Sequence, residues 1–250
     1  DMFPQTHHIE TVTTLVRDDE RVAVLAGRQQ IVLASASPRR SDLLRRLGFE
    51  FIVAPSTVVE PEADEGEAAL ELAETRALAK ARDVAAWQES GTIIGADTVV
   101  EFEGSALGKP RDDHHAREML RTLRGREHRV ITSVVLLDAA TGENVQSYRE
   151  SHVRMRDYSD AEIDAYVASG DPFDKAGGYA VQSDTFAPAT HVRGCYLNVV
   201  GLPVCTTLRL TRRFGLRTRP LLSGSWPELD RCQECSSQVH RDSSKRRRHR

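Results

Sequence analysis

The stretch that decides the fold is Ile31-Val32-Leu33-Ala34-Ser35-Ala36-Ser37-Pro38-Arg39-Arg40. Four apolar residues in a row read as a short buried strand. Ser37 then offers a cap and Pro38 suits the first position of a helix. Leu43, Leu44 and Leu47 continue as a helical stripe that Gly48 ends. A buried strand running directly into a capped helix is a unit of an α/β sheet. The helix N-terminus there, with the hydroxyls of Ser35 and Ser37 and the guanidiniums of Arg39 and Arg40, is suited to an anion. A capped surface helix with two solvated arginines would read the same way locally.

Working outward, the alternation persists. Residues 51–54 read as a strand, 67–87 as a long helix rich in Ala, Leu and Glu, and 92–96 as a buried strand ending at Asp97, with 99–102 carrying on toward a turn at Gly104. Asp112 caps a helix reaching about Leu123. Residues 128–137 and 143–155 form two strands around a turn near Gly142. Ser159 or Asp160 caps a helix through Val167. Leu197 to Val200 reads as a late strand and Pro203 to Phe214 as a closing helix. Strands and helices alternate but a hairpin interrupts them, so the fold class is α/β, or mixed α+β, with a mixed central sheet. Residues 1–30 read as an extension, with one weak apolar stretch from Val22 to Ala26. From Arg217 the pattern decays.

The 250 residues carry a formal net charge of −3, distributed unevenly. Residues 231–250 hold seven basic and two acidic side chains, so the body before them is clearly acidic. An acidic body argues against non-specific nucleic-acid binding as the main activity, but not against one small anion held by local cations. No apolar run approaches a membrane span and no secretory leader is visible, so a cytoplasmic protein is expected. Four cysteines make no disulfide framework. Cys195 and Cys205 suit core packing. Cys232 and Cys235, followed by His240 and His249, have the ligand types of a zinc site but irregular spacing in a polar tail.

Further candidates lie along the body. Asp97, in Gly95-Ala96-Asp97-Thr98, follows an apolar run, where a carboxylate is costly unless it is paired, bound to metal, at a cleft, or capping a turn. Lys109 sits on a stiff loop between Gly108 and Pro110, without the spacing of a P-loop. Asp174-Lys175-Ala176-Gly177-Gly178-Tyr179-Ala180-Val181-Gln182 combines a lysine, a glycine pair and a glutamine able to read a base edge. Lys80 lies late in a helix, where a cation is favoured, and Glu60 in an acidic loop. A Ser–His–Asp hydrolase is unsupported, since no Gly-x-Ser-x-Gly occurs.

In order and spacing these segments, together with Lys80-Ala81 and Asn198-Val199-Val200-Gly201-Leu202-Pro203, resemble the Maf family of nucleoside triphosphate pyrophosphatases, from about Ile31 to Leu216. The resemblance implies an inosine-triphosphatase-like fold with a cleft between two lobes. It implies hydrolysis of an NTP to the NMP and pyrophosphate with a divalent metal, Mg²⁺ or Mn²⁺, and suggests a homodimer. It also implies Asp97 as general base, and Arg39, Thr98 and Gln182 as the residues that accompany dTTP and UTP preference. On this reading Asp97 and Glu60 hold the metal. Ser35, Ser37, Arg39, Arg40, Lys80, Lys109 and Lys175 bind the triphosphate. The chain departs from the family in two places. Gly178-Tyr179-Ala180-Val181-Gln182-Ser183 replaces Ala-Tyr-Gly-Ile-Gln-Gly, and Val59-Glu60 replaces a pair of acids.

Overall fold

The computed structural model describes residues 30–59 and 68–216. Val22 to Ala26, Glu60, Cys232, Cys235, His240 and His249 lie outside them. A seven-stranded mixed sheet runs in the order β2-β1-β3-β5-β6-β7, with β4 pairing only on β3. The strands are β1 (Ile31–Leu33), β2 (Ile52–Val53), β3 (Thr92–Phe102), β4 (Ser105–Leu107), β5 (Glu127–Asp138), β6 (Asn144–Met155) and β7 (Ala189–Gly194). β1 is parallel to both β2 and β3, and the remaining pairs are antiparallel. The helices are α1 (Pro38–Arg46), α2 (Ala69–Ala85), α3 (Asp113–Leu123), α4 (Asp160–Ala168), α5 (Tyr196–Val200) and α6 (Val204–Arg213).

The caps sit where the sequence puts them. Ser37 Oγ accepts from Arg40 N with Pro38 in the first turn, Asp112 Oδ1 accepts from His115 N, and Ser159 and Glu162 form a reciprocal capping box. Two expectations fail. Leu197–Val200 is helical, part of α5, because a short apolar run packs equally well as a buried helix turn. And no break falls at Asp97: β3 carries on to Phe102, as residues 99–102 suggest, but runs straight through Asp97, which lies opposite Ser133 of β5. The β4 hairpin and β7 are further elements, in stretches where the sequence pattern marks neither strand nor helix.

Strand β3 organises the molecule. Its side chains alternate between faces. Ile93 and Val99 pack with the helix α2, while Ile94 and Ala96 pack with α1, α5 and α6. Among the described residues one edge of β3 is covered by β5 along nearly its whole length. The other edge is covered by β1 only at Thr92–Ile94 and by β4 only at Val100–Phe102. Between these two partners, the edge at residues 95–99 is open.

Helix α2 lies unusually close to β3. Ala73, Ala77 and Ala81 are fully buried on its inner face, and Gly95 faces them. A Cβ on Gly95 would stand 2.4 Å from the Ala77 carbonyl oxygen and 2.9 Å from Ala81 Cβ. The small residues set the helix-to-strand distance, and Lys80 is carried on the same helix.

Two larger cores flank the open edge. One joins β1, α1, α5 and α6, and the other joins α3, α4 and the far half of the sheet. Deep in the second, His128 Nε2 lies 2.6 Å from the Tyr179 hydroxyl. Burial, with a smaller contribution from His152, lowers the His128 pKa from 6.5 to about 4. The unfolded chain therefore binds more protons between those values. The stabilisation from keeping this imidazole neutral is complete above pH 6.5 and is lost as pH falls toward 4, by up to about 3 kcal/mol. Urea midpoints should drop over that interval in the wild type, and less in His128→Gln. Equal slopes in the two proteins would contradict this assignment.

Candidate active site

The open edge of β3 forms the floor of a cavity of about 520 Å³ between the two cores. Because the edge is unpaired there, one cavity reaches both faces of the strand: Asp97 on the α2 side and its neighbour Thr98 on the other. From the first core come Ser35, Ser37, Arg39 and Arg40 at the start of α1, and Gly201 at the end of α5. From α2 come Arg76 and Lys80. Across the cavity stand Lys109, Asp174, Lys175 and Gln182. The structure thus brings together every site residue expected from the sequence except Glu60, which lies outside the described residues. Six basic side chains against two carboxylates mark the cavity as a site for an anion.

Lys80 Nζ and Asp97 Oδ1 are 2.5 Å apart, and their side chains are 11% and 6% exposed. A pair so poorly hydrated depends on each charge compensating the other. The second carboxylate oxygen, Asp97 Oδ2, is buried and has no hydrogen-bond partner. An orphaned, buried carboxylate oxygen beside a cation-lined cavity is a hard donor, suited to a divalent metal or to a water molecule. Among the described residues no group of three or more His, Cys, Asp or Glu could hold a metal unaided. Asp97 would therefore need ligand oxygens to complete a coordination shell, as Mg²⁺ sites commonly do with phosphates.

Arg40 is held from three sides. Its Nε donates to the Gly201 carbonyl at 2.8 Å, one Nη to Ser35 Oγ at 3.1 Å, and the other to Thr98 Oγ1 at 3.1 Å. Ser35 Oγ also accepts from Ser37 N at 3.2 Å. Arg39 reaches across the cavity mouth to Asp174 at 3.2 Å. Lys175 is buried, and its ammonium bonds the Asp171 carbonyl (2.5 Å), the Asp171 carboxylate (2.9 Å) and the Asp174 carboxylate (2.5 Å). All three of its N–H groups are thus engaged inside its own loop. Burial alone would raise the Asp171 and Asp174 pKa values, but the bonds from Lys175, with Tyr166 for Asp171 and Arg39 for Asp174, hold both below the ordinary carboxylate value.

Lys109 is exposed on the rim, and Gly108 O accepts from Gly177 N at 2.9 Å, tying that rim to the glycine pair. Gly177 and Gly178 both have φ near +70°, so the backbone turns there at residues that tolerate the left-handed region. Gln182, at the altered end of this loop, is exposed and lines the cavity.

Sequence reasoning missed Arg76, Thr132 and any role for Asn198. Arg76 precedes Lys80 by one helical turn, so spacing from an identified site lysine was the available signal. Thr132 interrupts an apolar strand and Asn198 an apolar run, and both are fully buried.

The family model for Maf-like protein matches residues 30–214. A dTTP/UTP pyrophosphatase of Dehalococcoides mccartyi (strain CBDB1) is 44% identical over 206 residues, covering 82% of this chain and 91% of the relative. The dTTP/UTP pyrophosphatase of Thermomicrobium roseum is 44% identical over 205 residues, covering 82% and 92%. That of Dictyoglomus thermophilum is 40% identical over 188 residues, covering 75% and 97%. Likeness to solved structures is weaker: a dITP/XTP pyrophosphatase from Mycobacterium abscessus gives a TM-score of 0.38 at 16% identity, over 86% of this chain and 97% of that one. The fold class rests on the mixed sheet itself, and the match of model and relatives across most of the chain shows that it belongs to the Maf-like protein family.

Proposed function

We infer that this chain is a nucleoside triphosphate pyrophosphatase, converting an NTP and water to the NMP and pyrophosphate, and we propose dTTP and UTP as its preferred substrates. The observation that carries the reading is the buried Lys80–Asp97 pair on the floor of a cation-lined cavity, with Asp97 Oδ2 left unpartnered. The likeness to dTTP/UTP pyrophosphatases supports the pyrimidine substrates.

In this proposal Lys80 fixes the carboxylate through Oδ1, so that Oδ2 orients and takes a proton from the water attacking the α-phosphorus. The start of α1 presents the positive end of its dipole and the hydroxyls of Ser35 and Ser37 to phosphate oxygens. Arg39, Arg40, Arg76 and Lys109 neutralise the triphosphate, including charge developing on the leaving pyrophosphate. Lys175 acts by bracing Asp171 and Asp174. Asp97, together with Glu60, which lies outside the described residues, would hold a divalent cation with substrate oxygens completing its shell. When bound, such an ion supplies charge neutralisation on the phosphates and a more acidic water. Gln182 offers both a donor and an acceptor to the base, while the Thr98 hydroxyl is committed to Arg40. Free nucleotides as substrate fit a cytoplasmic protein, and no helix among the described residues is long and apolar enough to cross a membrane.

Pyrophosphate release from a panel of NTPs tests the reading. Turnover should be fastest with dTTP and UTP, and should be lost with EDTA and regained with excess Mg²⁺ or Mn²⁺. Full activity in EDTA would remove the metal from the account, and preference for a purine or modified nucleotide would overturn the substrate assignment.

A further inference from the structure

Arg40 does not set its own direction. Its Nη can only donate, so Thr98 Oγ1 must accept at that contact (3.1 Å). Thr132 Oγ1, 2.9 Å away, commits its own proton elsewhere and can only accept here, so Thr98 donates its single hydroxyl proton to it. Thr132 in turn donates its own proton to the backbone carbonyl of Asn198 at 2.9 Å. The protons thus run one way, from the guanidinium through two hydroxyls to a carbonyl.

The far end of this hydrogen-bond relay is anchored on three sides. Asn198 is fully buried in the first turn of α5. Its Oδ1 accepts from Thr132 N at 3.1 Å, and its Nδ2 donates to the Val130 carbonyl at 2.9 Å and to Ser151 Oγ at 3.0 Å. One side chain therefore clamps α5 to both β5 and β6. The same short helix ends at Gly201, whose carbonyl accepts from Arg40 Nε. Arg40 is thus bound twice to the α5 segment, directly at its C-terminal end and through the two hydroxyls at its middle residue, Asn198.

We propose that Thr132 and Asn198, which take no part in lining the cavity, are positioning residues that fix the plane of the Arg40 guanidinium for phosphate binding, with Thr98 as the link. The proposal rests on the reading of the cavity as a triphosphate site. A guanidinium binds phosphate through a planar fork, so rotation about its terminal bonds costs affinity even when the charge stays in place.

Inorganic pyrophosphate is the probe, because its binding by calorimetry needs no turnover. Thr132→Val keeps the side-chain shape and removes the relay. It should weaken pyrophosphate binding by about tenfold, with a similar rise in KM for UTP and a smaller change in kcat. Thr132→Ser should restore binding to within about twofold. In an Arg40→Lys background, which has no fork to orient, Thr132→Val should cause no further loss. Unchanged affinity in a folded Thr132→Val protein would overturn the proposal. So would additive losses in the double variant, or failure of serine to rescue. No pyrophosphate binding by the wild type would overturn the triphosphate reading itself, and the proposal with it.

Discussion

Asp97→Asn should produce a folded protein whose turnover is reduced by about a hundredfold or more, the range associated with removing a general base. Asparagine matches the shape of aspartate and keeps an oxygen to accept from Lys80 at the 2.5 Å contact. It cannot take a proton, and it is a poor ligand for a hard cation. The change also leaves the Lys80 ammonium, only 11% exposed, facing a neutral group. Breaking a fully buried pair costs about 3–5 kcal/mol. This pair borders the cavity rather than lying in the closed core, and it retains its hydrogen bond, so the loss should fall below that range. Initial rates of pyrophosphate release, measured beside urea midpoints, separate the two effects. Turnover within a factor of about ten of wild type would remove Asp97 from its assigned role.

Gly95→Ala should be damaging for a different reason. The added methyl would stand 2.4 Å from the Ala77 carbonyl and 2.9 Å from both Ala81 Cβ and Val135 Cγ1. These are backbone and packed core atoms with no flexible end to swing aside, so α2 must move away from β3. Overpacking of this kind costs about 1–3 kcal/mol or more. The helix carries Lys80, so the shift also opens the Lys80–Asp97 contact two residues along the strand. A displacement of about 1 Å at a reacting group can cost on the order of a hundredfold in rate. We therefore expect a lower urea midpoint and, at temperatures where the variant remains folded, a reduced kcat. Wild-type stability and turnover together would show that the α2–β3 spacing is not what sets the site.

Much of this site was legible because its residues cluster where backbone regularity ends. The Ser37-Pro38 start of α1 announces a helix N-terminus by chemistry that is local. The buried strand that precedes it is a continuous apolar run. Lys80, Lys109 and Gln182 were recognisable through their motifs, and the cavity gathers them. What stayed hidden depends on non-local pairing. Asp97 looked like the end of a strand because a carboxylate after an apolar run usually marks one. In the fold it is tolerated in mid-strand because β1 and β4 leave the edge open beside it and Lys80 descends from α2. Lys175 looked like a ligand cation, yet its neighbours Asp171 and Asp174 consume its donors, a competition that spacing alone does not reveal. Asn198 sat in an apolar run whose length suits a strand or a helix turn equally, so its clamp on β5 and β6 was invisible.

The central claim is that water attacks the α-phosphorus at Asp97. Hydrolysis of UTP in ¹⁸O-labelled water, followed by mass analysis of both products, tests it most directly. UMP and pyrophosphate should form in equal amounts, with the label in UMP. Label in pyrophosphate, or UDP and inorganic phosphate as products, would contradict it.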